Sequence, residues 1–191
     1  LAHIADTPII SNPWTAAVLS ASASLQFKGT GMPYSSDLFE FFSSAFLPED
    51  LGFPLQVDKP IFTEGPLLGD AALKRIYIKH LPGHSPGSIG LLLRHQDEEE
   101  ILICGDVLLY PITPHPDDLL AYLRTLAYLK TFKSVALVLP AHGNRILNLE
   151  ESVTLLQEHH RRRLRLTYEG RFRPASVWDI ATMDGYFDIH V

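Results

Sequence analysis

The stretch "LKRIYIKHLPGHSPGSIGLLLR", residues 73–94, constrains the fold more than any other. Its first run alternates apolar and polar side chains, the pattern of a half-buried strand. "SIGLLLR" reads as a second strand. Between them two Pro and two Gly surround His84. Pro fixes φ, and Gly admits conformations closed to other residues. The connection therefore has a set shape and holds its histidine in place.

Further along, "ILICGDVLL" is a third strand, a continuous apolar run broken by Gly-Asp. "SVALVLPAHG" is a buried strand ending in a Pro-Ala-His-Gly turn. Between these two, "PHPDDLLAYLRTLAYLKTF" places Leu119, Tyr122, Leu123, Leu126 and Leu129 at helical spacing. "NLEESVTLLQEHHRRRLRLTYE" is a long helix starting near Asn148, and "PASVWDIATM" starts another near Pro174. "HQDEEE" reads as a solvated hairpin tip. Strands thus alternate with helices around a central hairpin, as in a layered α/β domain with both sheet faces covered.

The N-terminal third is less regular. "LAHIAD" reads as a helix end and "TPIIS" as a short buried strand. Asn12 and Pro13 give a helix start signal in "SNPWTAAVLSA". "SSDLFEFFSSAFL" carries an aromatic stripe suited to a helix, while residues 48–70, with Pro48, Pro54, Pro60 and Pro66, read as irregular chain.

Composition excludes several classes. The 191 residues suit one domain with a small appendage. A net charge of −6 argues against a protein built mainly to bind nucleic acid electrostatically. The single cysteine, Cys104, rules out an internal disulfide framework, so the expected compartment is the cytoplasm. No apolar run approaches the roughly 20 residues needed to span a bilayer, and no membrane partner is expected.

Three residues stand at three strand ends: His84, Asp106 and His142. Each alone has an ordinary reading, a hydrogen-bonded turn histidine or a carboxylate capping the next turn. Together, two imidazoles and a carboxylate are a ligand set that zinc accepts. Ligand sites also gather at one edge of such sheets.

"HLPGHSPGSIGLLL", "ILICGDVLL" and "LVLPAHG" together resemble the metallo-β-lactamase fold hydrolases, in order and spacing. The resemblance implies an αββα sandwich, mainly its second half, over residues 1–148. A C-terminal helical, partly winged-helix-like segment would follow over 149–191, as in the branch of β-lactamase-like endoribonucleases and hydroxyacylglutathione-hydrolase-like proteins. It implies a dinuclear site for two zinc ions with His84, Asp106 and His142 as ligands. Asp106 would bridge the ions and serve catalysis by orienting a zinc-bound hydroxide. His115 stands where the branch usually has Asn and is the candidate substrate contact.

The family's H-x-H-x-D-H signature is absent. His3 and Asp6 give only H-x-x-D, with Ala5 and Thr7 in the required places. The expectation is a truncated N-terminus lacking roughly a hundred residues, by the usual size of a domain. A missing N-terminal segment or a homo-oligomer would then complete the site. The expected substrate is a small-molecule thioester or related ester. Two alternatives stay open. One is a zinc-dependent endoribonuclease using the basic edge Arg161–Arg163. The other is a degenerate, non-catalytic binding module. Cys104 is expected to be a packed core residue.

Overall fold

The computed structural model describes residues 2–7, 57–67, 75–94, 99–170 and 176–183. Its main feature is a five-stranded sheet built from β3 (Gly65–Pro66), β4 (Ile76–His80), β5 (Ile89–Arg94), β6 (Glu100–Gly105) and β7 (Val135–Pro140), side by side in that order. The first three pairings are antiparallel, and β6 pairs with β7 in parallel. That parallel step needs a crossover, supplied by helix α1 (Leu119–Leu129). It follows that β4, β6 and β7 run in the same direction, so their C-terminal ends lie along one edge of the sheet.

Register explains which face is buried. Tyr77, Leu92, Leu102 and Val138 lie in one cross-strand row. Leu92, Leu102 and Val138 form a core with Tyr122, Leu126 and Leu129 of α1 and with Leu149, Val153 and Leu156 of helix α2 (Leu149–Gly170). The adjacent row, Ile78, Leu91, Ile103 and Leu139, points to the other face. It is equally apolar, yet Ile103 and Leu139 are 38% and 36% exposed.

The helices start where their caps dictate. Asp118 accepts the Ala121 N–H at 2.9 Å and opens α1. Asn148 accepts the Glu151 N–H at 3.1 Å ahead of α2, whose first turn carries Glu150 and Glu151, the favourable sign for a helix N-terminus. Described residues up to His160 belong to one compact unit and those from Arg161 onward to a second. In the second, a capping box between Ser176 and Asp179 starts the short helix α3 (Val177–Ala181).

Two expectations are corrected. "LAHIAD" is not a helix end: Ala2–His3 form β1, paired in parallel with β2 (Pro60–Ile61), and a turn follows. Residues 48–70 are not wholly irregular, since β2 and β3 fall within them. The helices expected near residues 12–21 and 35–47, and "TPIIS" beyond Thr7, lie outside the described residues.

Tyr122 links the core to the loop that carries His84. It is fully buried, and its hydroxyl donates to the Val107 carbonyl at 2.8 Å. A Cβ at Gly83 would lie 2.4 Å from Tyr122 Cα, and Gly83 sits at φ +135°. Only glycine fits this approach. Gly83→Ala is therefore expected to cost about 1–3 kcal/mol or more, from overpacking alone, read as a lower denaturant midpoint. Cys104 is also fully buried, and burial pushes its thiol pKa up to about 11. A maleimide reagent should leave the native protein unlabelled at neutral pH and modify Cys104 rapidly once the chain is unfolded.

Candidate metal centre

Asp106 follows β6 directly, His142 follows β7, and His84 lies four residues beyond the end of β4. The common direction of these strands brings all three side chains to one sheet edge. His142 Nε2 lies 3.2 Å from Asp106 Oδ1, and His84 Nε2 lies 3.7 Å from Asp106 Oδ2. The carboxylate thus stands between the two imidazoles, one oxygen toward each.

The loop around His84 is stitched to the start of α1. The Asp118 N–H donates to Gly83 O at 3.0 Å, the Asp117 N–H to His84 O at 3.3 Å, and the Thr125 hydroxyl to Pro82 O at 2.6 Å. The His142 turn is tied down similarly. Ala141 N–H donates to Gly105 O at 2.9 Å, and Asn144 N–H to Tyr110 O at 2.8 Å. Each donor sits in backbone held from both sides.

The ring of His84 is oriented by a second contact. Its Nδ1 lies 3.1 Å from the carbonyl oxygen of His115. A carbonyl can only accept, so Nδ1 carries the proton and donates. In the neutral ring, Nε2 then presents a lone pair toward Asp106 Oδ2. At 3.7 Å no direct hydrogen bond joins them, and the gap suits a cation, a proton or a water between the two acceptors. On the other side, Asp106 Oδ1 is shut off from water and forms no hydrogen bond among the described residues, although His142 Nε2 lies 3.2 Å away and the side chain is 36% exposed overall. A buried carboxylate oxygen left in this way is costly.

These observations test the expected metal. In kind, the donors fit: a carboxylate flanked by two imidazoles, one of them fixed in tautomer by a backbone carbonyl, is the usual arrangement around a divalent ion. In number they are incomplete. Among the described residues, no three His, Cys, Asp or Glu side chains form a group set to hold one ion. The three donors divide into two pairs that share Asp106, which gives two protein donors per position where zinc takes three or four.

His115, expected to meet substrate, is exposed, and its placement adds a role that sequence reasoning missed: its carbonyl orients His84. Arg161–Arg163 lie on α2 in the second unit. No described helix is long and apolar enough to cross a membrane. By nitrogen NMR at mildly alkaline pH, metal-free protein should show His84 protonated at Nδ1 and bare at Nε2. The reverse tautomer would remove the argument for a cation facing Asp106.

No protein-family profile and no curated protein matches the chain. Solved structures do. A metallo-beta-lactamase family protein from Thermus thermophilus superposes with a TM-score of 0.63 at 19% identity, over 95% of this chain and 58% of its own length. A beta-lactamase domain protein from Burkholderia ambifaria gives 0.66 at 21% identity, over 94% and 51%. The chain thus spans between half and three-fifths of each. With the strand order, the crossover helix and the three strand-end donors already in place, these superpositions establish that the chain has the metallo-β-lactamase fold, mixed sheet and helices together.

Proposed function

We propose that the protein is a metal-dependent hydrolase whose ion-binding edge is formed by His84, Asp106 and His142. One observation carries this reading. Asp106 holds a water-excluded oxygen, without a hydrogen bond among the described residues and 3.2 Å from His142 Nε2, where two strand-end imidazoles converge. We take the metal to be zinc, two ions per complete site, and the substrate to be a thioester or related ester.

When bound, the metal supplies a water activated at neutral pH and a Lewis acid for the acyl oxygen. The chain's residues do the rest. Asp106 would lend one carboxylate oxygen beside each imidazole to hold the metal. His84 is held with Nε2 outward by the His115 carbonyl. His142 is the most open of the three at 57% side-chain exposure. We take the exposed His115 side chain to be the substrate contact. Cys104, buried and with its thiol pKa raised to about 11, is unsuited to act as nucleophile. The further donors that complete each position come from outside the described residues, on the same polypeptide or a second copy.

The test is elemental mass spectrometry on the natural full-length protein purified without added metal. The expected result is about two zinc per chain, the dinuclear arrangement of this reaction class. Asp106→Asn should strip most of that metal and reduce ester and thioester hydrolysis at least a hundredfold, while His142→Ala should lose metal from one position. A wild-type protein that takes up no zinc, even when challenged with it, would leave the fold as a binding module without this chemistry.

A further inference from the structure

The loop carrying His84 has a second anchor, far away in sequence and unrelated to α1. Asp6 lies in the turn after β1. Its Oδ2 accepts the Ser85 hydroxyl at 2.6 Å, and its Oδ1 accepts the Gly87 N–H at 2.8 Å. The two partners lie 79 and 81 residues away along the chain. Both oxygens of one carboxylate therefore grip the residues immediately after His84. Ser85 passes the contact on: its Oγ lies 2.9 Å from Ser88 Oγ, which also accepts the Ser85 N–H at 3.0 Å.

The sequence of the loop is fitted to this grip. A Cβ at Gly87 would lie 2.5 Å from Asp6 Cγ, so the carboxylate reaches the backbone only because residue 87 is glycine. The turn that carries Asp6 is itself fixed. Asp6 N–H donates to His3 O at 3.0 Å, and Ile4 N–H donates to Ile61 O at 2.8 Å. The His3 ring stacks on His80 with centroids 4.1 Å apart, and His80 Nε2 donates to the Pro86 carbonyl at 2.9 Å.

His84 thus sits between two clamps. Residues 82–84 are held by α1 and the segment before it, and residues 85–87 by Asp6. We propose that Asp6 is a positioning residue for the donor His84. It touches neither ion nor substrate. It fixes the backbone on the C-terminal side of His84, so that the imidazole keeps its Nδ1–H on the His115 carbonyl and its Nε2 toward Asp106. This inference rests on the metal-site reading above. The principle is general: groups that orient a ligand from behind typically change metal affinity 10–100-fold when removed.

The experiment compares wild type, Asp6→Ala, Asp6→Asn, Ser85→Ala and His84→Ala, all as full-length protein. The readouts are zinc affinity, by competition with a chromophoric chelator, and the visible spectrum of the cobalt-substituted protein. Asp6→Ala is expected to weaken the ion at the His84 position about 10–100-fold and to shift its cobalt bands. Asp6→Asn should restore much of both, because its amide oxygen can still accept the Gly87 N–H and its NH2 can donate to Ser85 Oγ. Ser85→Ala, which removes one contact and leaves the Gly87 bond, should change both in the same direction by less. Should Asp6→Ala fail to fold, Ser85→Ala decides the matter alone. Unchanged affinity and spectrum in a folded Asp6→Ala or Ser85→Ala protein, with His84→Ala losing the ion, would overturn the positioning role and leave the metal site standing. A wild type that binds no zinc would overturn the metal site itself.

Discussion

One backbone carbonyl decides what His84 can do. Imidazole offers two nitrogens with opposite roles in the neutral ring, and the carbonyl of His115 claims the proton of one. The other is left as a lone pair facing a carboxylate. Most of the surrounding architecture preserves that choice. The cap of α1 places the segment after His115, the Asp117 and Asp118 amides hold the loop, and Tyr122 fills the space beneath Gly83. Loss of the carbonyl contact would free the ring to turn, and Nε2 would become an ordinary donor to Asp106.

The sheet does for Asp106 and His142 what the helix does for His84. Antiparallel pairing through β4, β5 and β6, followed by a parallel step to β7, puts three strand ends on one edge. A wholly antiparallel continuation would have sent His142 to the opposite edge. The crossover through α1 therefore serves twice: it makes β7 parallel to β6, and its N-terminal end pins the His84 loop. The core formed by Tyr122, Leu126 and Leu129 against Leu102 and Val138 couples the two functions, because the residues that bury the helix also set its height above the sheet.

Much of this was legible in the sequence. Alternation in "IYIKH", the apolar run in "ILIC" and the helical spacing of Leu119, Tyr122, Leu126 and Leu129 report local burial, and each element appears where its period puts it. The strand-end placement of His84, Asp106 and His142 was legible because each borders a Gly in a turn. What could not be read is what depends on pairing across distance. Nothing in "LAHIAD" says that Asp6 will meet Ser85 and Gly87, since a turn carboxylate carries no record of its partner. Ala2–His3 became a strand because Pro60–Ile61 offered it a ladder, which a helical reading of six residues cannot foresee. The part of His115 that matters to His84 is its backbone carbonyl, a group that every residue type carries and no side-chain pattern announces.

The donor count and the second face of the sheet point the same way. On the proposed metal reading, His84, Asp106 and His142 supply too few donors for two zinc shells, and the row through Ile103 and Leu139 is too apolar to face water by preference. A strand that is apolar on both faces belongs to a sheet covered on both sides. The helices cover one side. Among the described residues the other side leaves Ile103 and Leu139 part-exposed, and β6, which carries Ile103 on that face, leads directly into Asp106.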